Sequence, residues 1–181
     1  FGVAAEIPGC ERLDRILSNA RFKGPARRQA AITLEHIELF VEVAKTSGRL
    51  SLAIGTALQF ECAFRQRDVI GEWEPIGEVG PSSAYVMNGR QWVNGLTWAH
   101  ISDDWLLTKR TTKTGAIVDH DLKLCPMAIE LLKTVPEDER FGPLIVDELA
   151  NRPYAEAAYQ REWRNVADTA GIPRGIWNMD A

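Results

Sequence analysis

Two short segments carry the residues whose types and spacing could do chemistry. Residues 64–68 place Arg65 three positions before Asp68, and residues 111–115 place Lys113 in a predicted turn. A guanidinium presents a rigid fork of donors that matches two phosphate oxygens, and it stays charged at any working pH. An ammonium can donate a proton to a departing oxygen or stabilise its charge. Together these side chains could hold a phosphodiester.

Each segment also has a purely structural explanation. Arg65 is spaced for an ordinary ion pair on a helix with Asp68 or with Glu61, and such a pair stabilises a helix by about 0.3–0.5 kcal/mol. Lys113 is equally what a solvated turn contains. A helical interaction domain with a structural Arg65–Asp68 pair would fit the acidic net charge of −4.

The charge of the 181-residue chain is unevenly distributed. A net charge of −4 argues weakly against a nucleic-acid partner. Basic residues nevertheless cluster near the start of the chain and on the predicted hairpin, whereas acidic residues gather between positions 119 and 162. This pattern is compatible with a basic face on an acidic protein. The candidate DNA contacts are Arg27, Arg28, Lys109 and Arg110.

The remaining reactive side chains predict no metal site and no cofactor site. Cys10, Cys62 and Cys125 are odd in number and widely spaced, which fits neither a disulfide framework nor a zinc site. We expect reduced, mostly buried thiols, as in a cytoplasmic protein. The three histidines show no ligand spacing, and no Gly-rich phosphate loop is present. No apolar run approaches the length of a membrane span, so no membrane partner is expected.

Apolar spacing predicts the helices that must position these residues. The first predicted helix starts near Thr33 as N-cap and runs to Lys45. The next covers residues 50–64, and its apolar stripe reaches Arg65 one step later. A charged residue that extends a buried face needs a partner or a role. The other predicted helices cover residues 66–73, residues 126–132 and a long segment that opens at Pro153.

The middle of the chain predicts strands. Residues 74–90 are rich in Gly, Pro and Ser and are expected to form a long loop. Extended segments follow at residues 92–98, 105–108 and 116–118, with the turn at Lys113 before the last of them. They predict a small three-stranded antiparallel sheet. The expected fold class is therefore α+β and mostly helical.

The chain divides at about residue 30. Residues 1–30 show no sustained helical period, and residues 16–22 look like a short extended piece closed by Gly24 and Pro25. The first residue is Phe1 rather than Met, and residues 177–181 carry no stop or tail signal. We therefore expect a piece of a longer protein.

Taken in order, these segments resemble the catalytic domain of the tyrosine recombinases, the phage integrase family. In that family a helix ends in Arg followed three residues later by Glu or Asp. An apolar-Trp-x-x-Ile segment comes next, and then a β-hairpin with Thr-Lys-Thr-Gly. The present chain has ALQFECAFRQRDVI at residues 57–70, LTWAHI at 96–101 and TKTG at 112–115. Order and separation agree from about residue 25 to the end.

The resemblance implies a catalytic domain over residues 31–181 and, over residues 1–30, the end of a DNA-clamping domain with its linker. It implies site-specific recombination of double-stranded DNA, in which a tyrosine attacks a phosphate and leaves a 3′-phosphotyrosyl link. By the same resemblance Arg65 and Lys113 are catalytic and Asp68 is their supporting acid, with no metal or other cofactor. Full-length copies would associate on DNA in the cytoplasm.

The end of the chain departs from the family pattern. The family continues with His-x-x-Arg and then the tyrosine nucleophile, but Met179 stands where the histidine is usual, and the arginine would follow Ala181. Tyr85, Tyr154 and Tyr159 are in the wrong places to replace the nucleophile. The resemblance therefore implies that this fragment alone is inactive. The alternative is a catalytically degenerate, recombinase-like DNA-binding protein.

Overall fold

The computed structural model describes residues 9–20 and 31–178. Its first element, α1 (Cys10–Asn19), is a helix where the sequence predicts a linker without helical period. Leu13, Ile16 and Leu17 recur at helical spacing over less than two turns, too short a stripe to stand out in the sequence. None of the residues of α1 is buried, so packing against the described residues does not explain this helix.

The next two helices form where the apolar spacing predicts them. α2 (Leu34–Thr46) begins after Thr33, whose hydroxyl accepts a hydrogen bond from the His36 N–H at 3.3 Å. α3 (Leu50–Cys62) is the central helix, because ten of its 13 residues are buried. A helix that is apolar all round belongs inside a core.

The C-terminus of α3 differs from the prediction in a way that matters for Arg65. Ala63 adopts left-handed backbone geometry with φ of 53°, which ends the helix before Phe64. Arg65 therefore does not extend the buried stripe of α3. It is instead the N-cap residue of the short helix α4 (Gln66–Ile70).

The predicted three-stranded antiparallel sheet is present, but only its strand with Trp92 and Val93 overlaps a predicted extended segment. Its strands are β1 (Glu72–Pro75), β2 (Val86–Met87) and β3 (Arg90–Val93), in the order β1-β3-β2. Much of it lies where a long loop is predicted. α4 is shorter than predicted because Gly71, with φ of 74°, turns the chain from the helix into β1.

The predicted hairpin forms a separate two-stranded sheet. β4 (Leu106–Arg110) pairs with β5 (Ile117–Asp121), and Lys109 lies opposite Val118. A single isolated bridge between Ile101 and Leu107 is the hairpin's β-type contact with the preceding segment. One bridge is too little pairing to add a third strand, so the hairpin stays outside the larger sheet.

The last third of the chain packs back onto α3. α5 (Pro126–Lys133) has Pro126 in its first turn, as predicted. β6 (Val146–Asp147) pairs with β7 (Arg152–Pro153), so Pro153 lies in a strand and α6 (Glu156–Thr169) starts three residues later. The indole N–H of Trp163 in α6 donates to the Thr56 hydroxyl of α3 at 3.1 Å.

The fold is therefore α+β and mostly helical, as predicted, with one core around α3. Within residues 9–20 and 31–178, no helix combines the length and the apolar character needed to span a bilayer.

Candidate active site

Asp68 joins the two segments that the sequence singles out. Its carboxylate oxygen Oδ1 accepts a hydrogen bond from the backbone N–H of Thr112 at 2.6 Å. Asp68 is only 1% exposed, and Thr112 directly precedes Lys113 at the tip of the hairpin. A charge-assisted bond of this length to a buried carboxylate is strong. The first turn of α4 and the hairpin tip are thus held together.

Arg65 lies at the start of α4 with its side chain exposed. Its backbone is extended, with φ of −70° and ψ of 148°, between the left-handed Ala63 and the first helical residue, Gln66. In the described part of the chain, the guanidinium has no hydrogen-bond or ion-pair partner, Asp68 and Glu61 included. The predicted structural ion pair is therefore not formed, and the cation is free to bind an anion.

Lys113 is exposed at the hairpin tip. Backbone bonds close the turn beneath it: Thr111 N–H donates to Ala116 O at 2.8 Å, and Gly115 N–H donates to Thr111 O at 2.9 Å. Gly115 has φ of 68°, a conformation that glycine adopts without strain. The turn therefore has a defined shape from which the ammonium projects into solvent.

Lys109 is in a different environment from the one predicted. We expected a surface contact to DNA, but Lys109 is only 5% exposed, and its ammonium donates to Asn94 O at 2.7 Å and Gly95 O at 3.1 Å. Burial lowers its pKa, and the nearby Asp68 carboxylate acts in the opposite direction. The strand explains the difference, because alternate residues of β4 point inward and place Leu107 and Lys109 on the same buried side.

A groove of about 600 Å³ lies beside the hairpin, next to this buried ammonium. Its lining includes the polar residues Asn94, Thr97, His100 and Thr112 together with apolar groups such as those of Trp92 and Val93. His100 Nδ1 accepts a hydrogen bond from the Thr97 N–H at 2.9 Å. Burial lowers the pKa of His100, and the Lys109 charge lowers it further.

The geometry can be set beside known proteins. No family model matches the sequence, and no curated protein matches it. Among solved structures, a lambda integrase tetramer bound to a Holliday junction matches with a TM-score of 0.57 and 15% identity, over 86% of this chain and 38% of that chain. The chain has a tyrosine-recombinase-like fold.

Two further lambda integrase structures agree. A DNA-bound lambda integrase fragment matches with a TM-score of 0.57 and 14% identity, over 90% of this chain and 54% of that chain. A lambda integrase dimer bound to a COC′ core site gives 0.55 and 15%, over 87% of this chain and 50% of that chain. The present chain thus spans about 38–54% of the length of these structures. At this level of identity the likeness is one of fold.

The other predicted DNA contacts have separate outcomes. Arg110 is exposed on β4, and its guanidinium donates to Gly115 O at 2.7 Å, which ties the hairpin turn from outside. Arg27 and Arg28 lie outside the described residues, and so does Met179. Among residues 9–20 and 31–178, no group of three or more His, Cys, Asp and Glu side chains could hold a metal ion.

Some residues of the candidate site were not singled out by the sequence. The turn at Asn94 and Gly95 supplies the carbonyls that bind Lys109, and it is wedged against Trp92 and Gly71. The Trp92 indole N–H donates to Ile70 O at 2.8 Å, which fixes the turn to α4. These contacts join residues far apart in sequence. Only the Gly residues and the inward alternation of β4 could have suggested them.

Asn178, the last described residue, is also buried in the recombinase-like fold. Its side-chain amide donates to Gln59 Oε1 at 2.7 Å, and the Gln59 amide donates back to Asn178 Oδ1 at 3.3 Å. The Tyr159 hydroxyl donates to the same Gln59 oxygen at 3.3 Å. Gln59 is on α3, six residues before Arg65. The chain therefore returns to the helix that leads to Arg65.

Proposed function

We propose that this chain is part of a site-specific DNA recombinase that works by transesterification through a phosphotyrosine intermediate. The observation that carries the proposal is the Asp68–Thr112 hydrogen bond of 2.6 Å, which holds the Arg65 segment against the Lys113 hairpin. The recombinase-like fold supports it, and the integrase structures with that fold are bound to DNA. The partner is double-stranded DNA, and the compartment is the cytoplasm.

The proposed chemistry assigns each side chain one task. The exposed Arg65 guanidinium binds the non-bridging oxygens of the scissile phosphate and stabilises the charge of the transition state. The tyrosine oxygen, which has lost its proton to solvent, bonds to phosphorus as the bond between phosphorus and the 5′ oxygen breaks, and the Lys113 ammonium gives one proton to the 5′ oxygen. One phosphodiester replaces another, so neither a nucleotide nor a metal is needed. Asp68 holds the hairpin in place.

The proposal places the tyrosine nucleophile outside this chain. Tyr159 is fully buried and bonded to Gln59, and Tyr154 is buried with its hydroxyl 3.4 Å from Glu148 Oε2. Burial raises the pKa of both phenols, which disfavours an attacking phenolate. The proposal therefore has this fragment inactive alone and the full-length protein active.

DNA binding can be tested on this chain alone. We expect its affinity for a short duplex of mixed sequence to fall linearly on a log–log plot as salt rises, with a slope of about −0.9 per phosphate contact. Arg110→Ala should reduce that slope by about 1 if Arg110 meets a phosphate. Lys45→Ala, on α2, is the matched control and should leave it unchanged. A domain without salt-dependent affinity would not use a phosphate-binding face, which would favour a helical interaction domain.

A second candidate is a catalytically degenerate, recombinase-like DNA-binding protein. Met179 favours it, because a thioether cannot perform the proton chemistry of the histidine usual at this place. Covalent capture separates the two. The full-length protein should form a denaturation-resistant adduct with DNA, and Arg65→Ala should abolish the adduct while duplex binding largely persists. Salt-dependent binding without any adduct would select the degenerate protein.

Association of full-length copies on DNA is part of the proposal. The lambda integrase structures with this fold include a tetramer and a dimer on DNA. Light scattering of the full-length protein with and without duplex DNA should therefore show a larger assembly when DNA is present. An unchanged mass at saturating DNA would contradict it.

A further inference from the structure

The buried ammonium of Lys109 has no role in the chemistry proposed above. It lies four residues before Lys113, on the strand that carries the hairpin tip. Lys109 donates two hydrogen bonds, at 2.7 Å to Asn94 O and at 3.1 Å to Gly95 O. Taking a charge out of water is costly unless its partners are well placed. A hydrophobic residue would fill this inward position more simply, so the charge calls for an explanation.

The carbonyls that bind Lys109 belong to a rigid turn. Asn94 has left-handed backbone geometry with φ of 64°, and a Cβ on Gly95 would meet the Trp92 ring and the backbone of Gly71. The Trp92 indole is itself bonded to Ile70 O of α4. The turn therefore cannot move independently of α4, the helix that begins after Arg65.

The hairpin thus has two polar ties to the Arg65 side of the molecule. The first joins Lys109, inside β4, to the Asn94–Gly95 turn. The second joins the backbone of Thr112, at the tip, to Asp68. The Asp68 carboxylate also acts on Lys109 electrostatically. Two ties at different points along the hairpin, one in β4 and one at the tip, fix its direction, whereas one tie would leave it free to pivot.

We propose that Lys109 is a positioning residue, which orients the β4–β5 hairpin so that Lys113 is presented beside Arg65. The ammonium acts through its hydrogen bonds to the turn and does not touch DNA. The part of this inference that concerns Lys113 as a proton donor rests on the function proposed above. The part that concerns the orientation of the hairpin does not rest on it.

Hydrogen exchange tests the orientation on this chain. Lys109→Met keeps the length of the side chain but removes the donors, so we expect amides of the hairpin turn, including Thr112 and Gly115, to exchange about 10-fold faster or more. Amides of α2 should be unchanged. Lys123→Met replaces an exposed lysine just after β5 and is the matched control. Unchanged exchange at the hairpin in Lys109→Met would overturn the proposal.

A second variant covers the case in which Lys109→Met does not fold. Lys109→Arg keeps donors in a longer, branched side chain that does not fit the same carbonyl pair. It should fold, and it should accelerate exchange at the hairpin selectively. Equal acceleration across all elements would mean that Lys109 only stabilises the whole molecule, and this outcome also overturns the proposal.

The full-length protein tests the link to Lys113. The probe is a randomised duplex library with a bridging sulfur in place of the 5′ oxygen at one fixed linkage, beside the all-oxygen library. A thiolate leaves without a proton, so loss of the proton donor is rescued by sulfur. Lys113→Ala and Lys109→Met should each lose covalent adduct about 100-fold or more with oxygen and regain it with sulfur. Arg65→Ala should lose the covalent adduct with both the oxygen library and the sulfur library.

The outcomes are distinguishable. If Lys109→Met loses the adduct with both libraries, the substitution affects something other than the proton donor. That result would overturn the link to Lys113. No adduct from the unmodified protein with either library would contradict the proposed recombinase function. In that event the exchange experiment still decides whether Lys109 orients the hairpin.

Discussion

Asp68 and Lys109 are both buried, and each bonds to backbone groups of another segment. Within the described part of the chain, neither belongs to an ion pair, although Arg65 lies three positions before Asp68. Their side chains satisfy backbone N–H and C=O groups that turns leave without partners. In the described part of the chain, the exposed side chains of Arg65 and Lys113 satisfy no such groups.

Removal of Asp68 tests how much the hairpin depends on it. Asp68→Ala leaves the Thr112 N–H without its acceptor and the buried Lys109 without a neighbouring negative charge. We expect the free energy of unfolding to fall by about 2–4 kcal/mol, measured by urea denaturation. Asp104→Ala, at an exposed position before β4, should change it by less than about 0.5 kcal/mol. Equal effects of the two substitutions would contradict this role.

His100 predicts a pH dependence of stability. Its pKa is lowered from 6.5 by burial first and by Lys109 second, so the unfolded chain takes up a proton at a higher pH than the folded protein does. Stability contributed by neutral His100 is therefore present above pH 6.5 and is lost as the pH falls from there toward the folded pKa. His100→Gln keeps an acceptor for the Thr97 N–H but does not titrate.

The measurement is thermal unfolding across this pH range. The wild-type chain should lose more stability than His100→Gln as the pH is lowered through 6.5. Parallel pH curves for the two proteins would show that the imidazole is not responsible.

At the scale of elements, Glu61 connects the end of α3 to the start of α5. Its carboxylate accepts from the N–H groups of Met127 at 3.2 Å and Ala128 at 2.8 Å, which the helix itself leaves without partners. Glu61→Ala should cost about 1–2 kcal/mol of unfolding free energy, measured in urea. Glu130→Ala, on the exposed face of α5, is the control and should have little effect. A similar loss for both would argue against capping.

The elements that could be predicted are those whose pattern is local. α2, α3 and α5 follow from apolar spacing, a Thr N-cap and a first-turn Pro. The exit of α3 could not be predicted, because nothing in Ala63 announces left-handed geometry. Strands β1 and β2 of the three-stranded sheet were missed for a related reason. They depend on the close approach of Gly71, Trp92 and Gly95, which is a property of the folded molecule.

The candidate site divides in the same way. Residue types and their order singled out Arg65, Asp68 and Lys113, because a motif is written in the sequence. The contact that joins them spans 44 residues, so no local pattern reports it. For Lys109 the two signals disagreed: its charge favours solvent, whereas its place two residues after Leu107 favours the interior. Lys109 lies in the interior because its ammonium donates hydrogen bonds to the Asn94–Gly95 turn.

At the scale of the whole molecule, the thiols report how well the core is closed. Cys62 and Cys125 are buried with their sulfur atoms 3.6 Å apart, and burial is the main cause that raises the pKa of each. Cys10 is partly exposed on α1. With an aromatic disulfide reagent, we expect one fast thiol and two that react only when the core opens. Cys10→Ser should remove the fast phase, and three equal rates would contradict a closed core.

The amide pair between Gln59 and Asn178 sets an order in which the molecule can be completed. It joins residues 119 positions apart, whereas the Asp68–Thr112 bond spans 44. Closing the longer loop costs more chain entropy, and during synthesis it must wait for the later residue to leave the ribosome. We therefore expect the Arg65–hairpin unit to form on the nascent chain while Gln59 still lacks its partner. Any site that also needs residues from later in the chain would then be completed last, after the Arg65–hairpin unit has formed.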